Sequence, residues 1–310
     1  MGGLDLGVEL APRHGRGLRL RNPVMTAAGT FGYGTEPAEL LDIQRLGAIV
    51  CKGTTIEPRD GNPQPRLVET AAGLLNSVGL QNIGIRALIE EKAPVWAKWQ
   101  VPVVVNIAGD NAHQYAELAS MLEGVAGVSA IEVNISCPNV ERGGMEFGAD
   151  PQAAAQITAA VKAASSLPIL VKLSPNVSDI AHIARAVAQA GADAVSLINT
   201  LRGMAIDKER RRPILGNIAG GLSGPAIKPV ALYAVYRVAQ AVSIPVIGCG
   251  GIVSASDALE FIMAGASAVQ VGTASFTDPH APLEVVEGIE RFMEREGVER
   301  LTDLIGITRR

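Results

Sequence analysis

Eight short runs rich in β-branched and small apolar residues recur along this chain of 310 residues, and they constrain its fold more than any other feature. They are Pro23–Ala27, Ala48–Gly53, Pro102–Ile107, Ala130–Ile135, Ile169–Leu173, Ala194–Asn199, Pro245–Cys249 and Ala268–Gly272. Each is followed by a polar or Gly-rich stretch and then a helical pattern, as in the Ala-rich amphipathic segments Asp150–Ser165, Asp179–Ala190, Ile227–Val242 and Ser254–Ala264. Strands alternating with helices imply right-handed βαβ units and a parallel sheet. Eight near-uniform units in about 250 residues predict an α/β fold closed into a (β/α)8 TIM barrel rather than an open doubly wound sheet. No linker or composition break divides the chain, so one domain is expected over residues 1–310. The first 22 residues precede the first strand and are expected to form a small hairpin across the barrel's bottom.

Composition excludes several classes of function. Hydrophobic residues make up 48 % and charged residues 19 %, which suits a globular chain with a large core. A net charge of −4 offers no electrostatic case for nucleic acid or for an anionic membrane surface. There is no apolar run of the ~18 residues a membrane span needs, and the N-terminal stretch has no apolar core of a signal peptide. The three cysteines, Cys51, Cys137 and Cys249, are odd in number and lack metal-ligand spacing. A disulfide framework is not expected, and a reducing cytoplasm is the natural setting.

Three segments look like insertions at the C-terminal ends of strands, where barrel active sites sit. Thr54–Gln81 follows the second strand and Thr200–Gly224 the sixth, and both are rich in turn-forming residues that suit an ordered loop or lid. Pro138–Ala149, after the fourth strand, is a third candidate lid whose paired glycines could act as a hinge.

A parallel barrel strand should be apolar on both faces, so polar residues near strand ends need a reason. Lys52 closes the second run, Asn106 lies in VVVNIAG, Asn134 in EVNISCPN and Lys172 in LVKLSPN. Alternation turns Val103, Val105 and Ile107 outward and Asn106 inward, and points Lys172 into the barrel between Val171 and Leu173. Each alone is as readily a structural ion pair or a satisfied amide; four together at one height favour function. Glycines cluster where the last three strands end, in GGLSGPAIKP (Gly220–Pro229), GCGGI (Gly248–Ile252) and VGTA (Val271–Ala274). Singly these are tight turns; jointly they match the phosphate site that barrels build from backbone N–H groups after strands 7 and 8. GCGGI is not a dinucleotide fingerprint. Cys51 and Cys249 lie within apolar strands as small core residues, whereas Cys137 stands just past the fourth strand, where a thiol could serve as a base.

The segments NSVGLQN (Asn76–Asn82), VNIAG (Val105–Gly109), EVNISCPN (Glu132–Asn139), VKLSPN (Val171–Asn176), INTLRGMAID (Ile198–Asp207), GGLSGPAIKP and GCGGI resemble the class 1 dihydroorotate dehydrogenases, specifically the NAD-linked catalytic subunit of the B type. The resemblance runs from about Gly17 to Thr273 in the family's order and spacing. The cysteine in EVNISCPN separates it from the membrane-associated class 2 enzymes, which resemble the same barrel but have serine as the base. The resemblance implies that Ala28, Lys52, Gly53, Asn106, Asn134, Lys172, Ile198, Gly224, Gly250, Gly251, Gly272 and Thr273 would line FMN, the last five counted from Gly224 holding its phosphate. Lys172 would sit near the flavin N1–O2 edge, where a cation stabilises charge on the reduced ring. Lys52, Asn76, Ser77, Val78, Gly79, Leu80, Asn134, Asn199 and Thr200 would bind dihydroorotate. Cys137 would take the C5 proton while C6 delivers hydride to the flavin, giving orotate for pyrimidine (UMP) biosynthesis. Ala28 departs from the serine of many relatives; a backbone contact to FMN would survive that change.

The chain carries neither a four-cysteine iron–sulfur pattern nor a dinucleotide fingerprint of its own. The B-type resemblance therefore implies a partner electron-transfer subunit with FAD and a 2Fe–2S cluster, two of each chain forming a heterotetramer around a catalytic homodimer. A fumarate-linked enzyme of the 1A type stays open as an alternative, as does another FMN barrel such as a tRNA dihydrouridine synthase, which would need a basic surface and an RNA-binding extension. A phosphosugar aldolase with Lys52 or Lys172 as Schiff-base former, or a scaffold barrel without catalysis, would yield a colourless protein. If Asn134 points inward, so does Glu132 one layer deeper; a buried carboxylate wants a cation, and Lys172 on the next strand is its expected partner.

Overall fold

A computed structural model describes residues 3–136, 138–139 and 145–309. Its central sheet has eight strands: β1 (Val24–Thr26), β2 (Ile49–Val50), β3 (Val103–Ile107), β4 (Ala130–Asn134), β5 (Ile169–Lys172), β6 (Ala194–Leu197), β7 (Val246–Cys249) and β8 (Ala268–Val271). They are hydrogen-bonded in the order β1-β8-β7-β6-β5-β4-β3-β2, every pair parallel. The seam between β1 and β2 is closed by a parallel bridge from Met25 to Ala48 and by the Val50 N–H, which donates to Thr26 Oγ1 at 3.0 Å. Each of the eight apolar runs holds one stave of this (β/α)8 barrel.

The helices start where the chain offers a cap. Asp150 accepts from the Gln152 N–H ahead of Pro151–Ala164, Asp179 from Ala181 ahead of Ile180–Gln189, and Asn111 from Gln114 ahead of Ala112–Met121. Ser254 and Asp257 form a reciprocal capping box on Ala255–Ala264. These helices bury their apolar faces on the staves, with Tyr115 and Phe261 fully inside. Gly248 on β7 has no side chain, which lets the Phe261 ring lie against the strand itself; a methyl there would stand 2.5 Å from Phe261 Cδ1.

The N-terminal hairpin forms as expected, Val8–Glu9 pairing antiparallel with Arg19–Leu20. Glu9 ties its turn by accepting from the N–H groups of Ala11 and Leu18. Arg13 donates to Ser243 ahead of β7, and Arg16 pairs with Glu123 ahead of β4, so the hairpin closes the N-terminal end of the barrel.

At the opposite end the two insertions expected to form an ordered loop or lid do so jointly. Parts of the two long insertions pair into one antiparallel sheet of four strands, in the order Leu201–Met204, Ala219–Ser223, Gly73–Asn76, Leu67–Thr70. Its central contact joins segments almost 150 residues apart, which no local pattern announces, and glycine makes it possible. A methyl on Gly73 would meet the Ser223 carbonyl at 2.0 Å, and one on Gly220 the Asn76 carbonyl at 2.4 Å. Within the third candidate lid, Pro138–Asn139 pairs antiparallel with Met145–Glu146 before a 3-10 turn, Phe147–Ala149. The hinge proposed at Gly143 and Gly144 lies outside the described residues. Among the described residues, no helix is long and apolar enough to cross a membrane, and no cluster of His, Cys, Asp and Glu could hold a metal ion.

Candidate active site at the barrel mouth

The interior of the barrel is polar near its C-terminal end. Asn106, Glu132, Lys172, Ser196 and Gln270 are all buried, on five different strands. Register sets their heights: Asn106 stands opposite Glu132, while Asn134 and Ser196 flank Lys172. Alternate strands of such a barrel contribute to one interior layer. That rule brings Glu132 from β4, Ser196 from β6 and Gln270 from β8 together, and the Glu132 carboxylate accepts from Ser196 Oγ at 2.7 Å, Gln270 Nε2 at 2.7 Å and Asn106 Nδ2 at 2.8 Å. Lys172 points inward as alternation requires. Its expected direct pairing with Glu132 is corrected: Lys172 Nζ donates to Gln270 Oε1 at 2.5 Å, and the glutamine stands between the two charges. The reason is the register, which places Glu132 beside Leu170 rather than beside Lys172.

Above this floor lies a rim. Asn134 Oδ1 accepts from the Ser136 N–H and from Asn199 Nδ2, and the same Asn199 amide donates to Ser136 Oγ at 2.9 Å. Asn199 Oδ1 accepts from the Thr200 N–H, and the Tyr115 hydroxyl donates to the Asn134 carbonyl at 2.6 Å. Two amides that hold each other leave their remaining donors and acceptors fixed in direction, which is what recognition of a flat polar ring requires. Lys52 lies past the end of β2 and is only half-buried. Burial, then the nearby Arg66 guanidinium, lower its pKa below the ordinary lysine value, against a smaller opposite pull from Glu36. Gly53 touches both halves of the site: a Cβ there would meet Asn106 Oδ1 at 3.1 Å and Leu80 Cδ2 at 3.3 Å. Asn76, Ser77, Val78, Gly79 and Leu80 run from the capping sheet toward this point, with Asn76 donating to the Gly221 carbonyl and Leu80 held at φ 56°.

The glycine clusters divide. Gly220 and Gly221 belong to the capping sheet, and a Cβ on Gly221 would collide with Thr200. Gly224 (φ 92°), Gly250 (φ 126°) and Gly251 (φ 75°) take conformations that side chains avoid. A Cβ on Gly250 would touch Ile198, and one on Gly272 would touch Ala27, next to Ala28. The Thr273 hydroxyl donates to Ser223 Oγ at 2.8 Å, tying the turn after β8 to the end of the capping sheet. Two residues on, Ser275 Oγ is buried without a hydrogen-bond partner among the described residues. Backbone N–H groups at positive-φ glycines, left uncovered by any Cβ, and a buried serine hydroxyl still free to donate have the chemistry that fits a phosphate group.

The cysteines also divide. Cys51 is fully buried, and burial pushes its thiol up to about 12. Cys249 is buried within β7. Cys137 lies outside the described residues, but its neighbour Ser136 is anchored by Asn199 beside Asn134.

Comparison with known proteins agrees with this geometry. The family model for dihydroorotate dehydrogenase matches residues 14–293. The chain belongs to the dihydroorotate dehydrogenase family. Relatives named "Dihydroorotate dehydrogenase B (NAD(+)), catalytic subunit" include those of Pelobacter propionicus, 58 % identical over 97 % of this chain and 98 % of the relative, and Desulforamulus reducens, 56 % identical over 96 % and 98 %. The one from Geobacter sulfurreducens is 54 % identical over 97 % of each chain. In this dihydroorotate dehydrogenase barrel, Gln270 and Ser196 are the polar floor residues that reading the strands for Lys52, Asn106, Asn134 and Lys172 left out. The signal was there, since AVQVG and AVSLIN break the apolar rule in the same way.

Proposed function

We propose that this chain oxidises dihydroorotate to orotate on bound FMN as the catalytic subunit of an NAD-linked dihydroorotate dehydrogenase. The observation that carries the reading is the convergence of Lys172, Asn106, Asn134 and Asn199 at the mouth of a barrel whose relatives bear that name. Lys172, Asn106, Asn134, Lys52, Gly53, Ala28 and Ile198 would hold the flavin, with its phosphate against Gly224, Gly250, Gly251, Gly272 and Thr273. FMN, when bound, supplies the acceptor for the two electrons and the hydrogen leaving C6 of the substrate. The chain's own residues do the rest. Lys52 offers a positive charge to the substrate carboxylate, and Asn76 to Leu80 with Asn134, Asn199 and Thr200 orient its amide edges. Cys137 takes the C5 proton. Support for that thiol comes by contrast: Cys51 is held protonated by burial and Cys249 is enclosed in the wall, so neither can serve.

A partner subunit carrying FAD and a 2Fe–2S cluster would supply the route for electrons to NAD, in a heterotetramer of two catalytic and two electron-transfer chains built on a catalytic homodimer. The name "catalytic subunit" borne by the relatives supports a separate partner. Anaerobic mixing with dihydroorotate tests the central claim. The purified yellow protein should bleach as orotate forms. A chain that takes up no FMN, or a flavin that stays oxidised, ends this reading.

A further inference from the structure

Glu132 is buried to 0 % exposure at the centre of the barrel, yet among the described residues it touches no cation directly. Its three donors, Asn106, Ser196 and Gln270, come from three different strands. Of these only Gln270 continues the chain of contacts, presenting Oε1 to Lys172 Nζ. The orientation of that amide is forced. An ionised carboxylate only accepts and an ammonium only donates, so a glutamine between them fits one way round, Nε2 toward Glu132 and Oε1 toward Lys172. Gln270 is 1 % exposed, so bulk solvent does not reach either end. Lys172, 7 % exposed, has one N–H committed downward, which leaves its other protons and its charge for the mouth above. A carboxylate so enclosed is costly to keep, and a barrel needs only apolar filling at that layer.

We propose that Glu132 and Gln270 are positioning residues: Gln270 pins the Lys172 ammonium at the floor of the flavin site, and the Glu132 charge beneath it lowers the reduction potential of bound FMN below what Lys172 alone would set. The inference rests on the FMN reading of this site. A fixed cation beside a flavin favours the reduced, more negative form and raises its potential. An anion one layer deeper opposes that effect, and with little screening inside the barrel the opposition is felt at the ring.

The test is the midpoint potential and the dissociation constant of FMN in the purified chain and three variants. Glu132→Gln removes the charge and keeps the shape: its amide oxygen still faces Ser196 and Gln270, and Asn106 accommodates the new N–H by turning its own amide over. The potential of this variant rises. Glu132→Asp keeps the charge, and its potential stays near that of the parent, which a purely structural role for the side chain would not produce. Gln270→Leu releases the ammonium, so FMN binds about tenfold more weakly or worse, a loss of about 1.4 kcal/mol, and the potential falls. A flavin-loaded Glu132→Gln protein with an unchanged or lower potential overturns the proposal, as does a Gln270→Leu protein matching the parent in both quantities. Should Glu132→Gln fail to fold, the Gln270→Leu measurement decides. A parent chain that holds no FMN removes both this inference and the functional reading, whereas a loaded parent with indifferent variants removes this inference alone.

Discussion

The barrel wall and the sheet that caps it are built on opposite terms. In β5 to β8 every residue is buried, and the staves are held by side chains packed on helices, Phe261 against β7 for example. The capping strands are mostly half-buried; Leu75 alone among them lies deep. They are held by ladder hydrogen bonds and by glycines that let backbones come close, Gly73 over Ser223 and Gly220 over Asn76. Side-chain packing makes the wall stable, and backbone fit makes the cap shaped. The wall supplies the polar floor of the mouth; the cap ends at Asn76, from which the chain runs on to Leu80, and joins Thr273 to Ser223 over the mouth.

That division can be broken experimentally. The largest effect on turnover should come where neither region's stability is touched. Cys137→Ser should retain FMN and melt like the parent, yet turn over dihydroorotate ~10²-fold more slowly or worse. The parent rate should climb with pH toward the free-thiol value of about 8.5; near-normal turnover in the variant, or a rate flat with pH, would remove Cys137 as the base. Next, Phe261→Ala should destabilise the wall by about 3–5 kcal/mol, read as a lower melting temperature or denaturant midpoint. A smaller loss would mean that the helices contribute less to the wall than its packing implies. Gly73→Ala should act on the cap instead: the Ser223 carbonyl must move aside, so KM should rise about tenfold, equivalent to about 1.4 kcal/mol, with a smaller loss of melting temperature than Phe261→Ala. If stability fell and KM did not, the cap would be scaffold after all.

The smallest effect belongs to the bottom of the wall. Hydrogen bonds from Ser166 and Ser165, with a lesser contribution from Arg16, hold the Glu123 carboxyl at about 2, down from 4.5. A depressed carboxyl pKa stabilises the fold above its unfolded value and loses that contribution as pH falls through the folded one. Glu123→Gln should therefore cost stability at neutral pH and flatten the acid limb between about pH 4.5 and 2, by less than the full shift implies because the group is partly exposed. Parallel acid-unfolding curves for the two proteins would show that the hydrogen bonds add nothing.

The residues themselves determined the wall. Apolar runs at regular spacing, caps such as Asp150, Asp179 and Ser254, and the inward alternation of Asn106 and Lys172 are local signals, because a stave and its helix are adjacent in the chain. The part proposed for Cys137 rests on the motif EVNISCPN and its family resemblance, because Cys137 lies outside the described residues. Tertiary structure alone decided what meets across distance. The cap joins segments nearly 150 residues apart, and Gln270, 138 residues from Glu132, separates it from the lysine that adjacency favoured. The physical reason is closure: once eight strands bend into a cylinder, an interior side chain meets those of alternate strands, and the partner of a buried charge is fixed by register around the ring rather than by order along the chain.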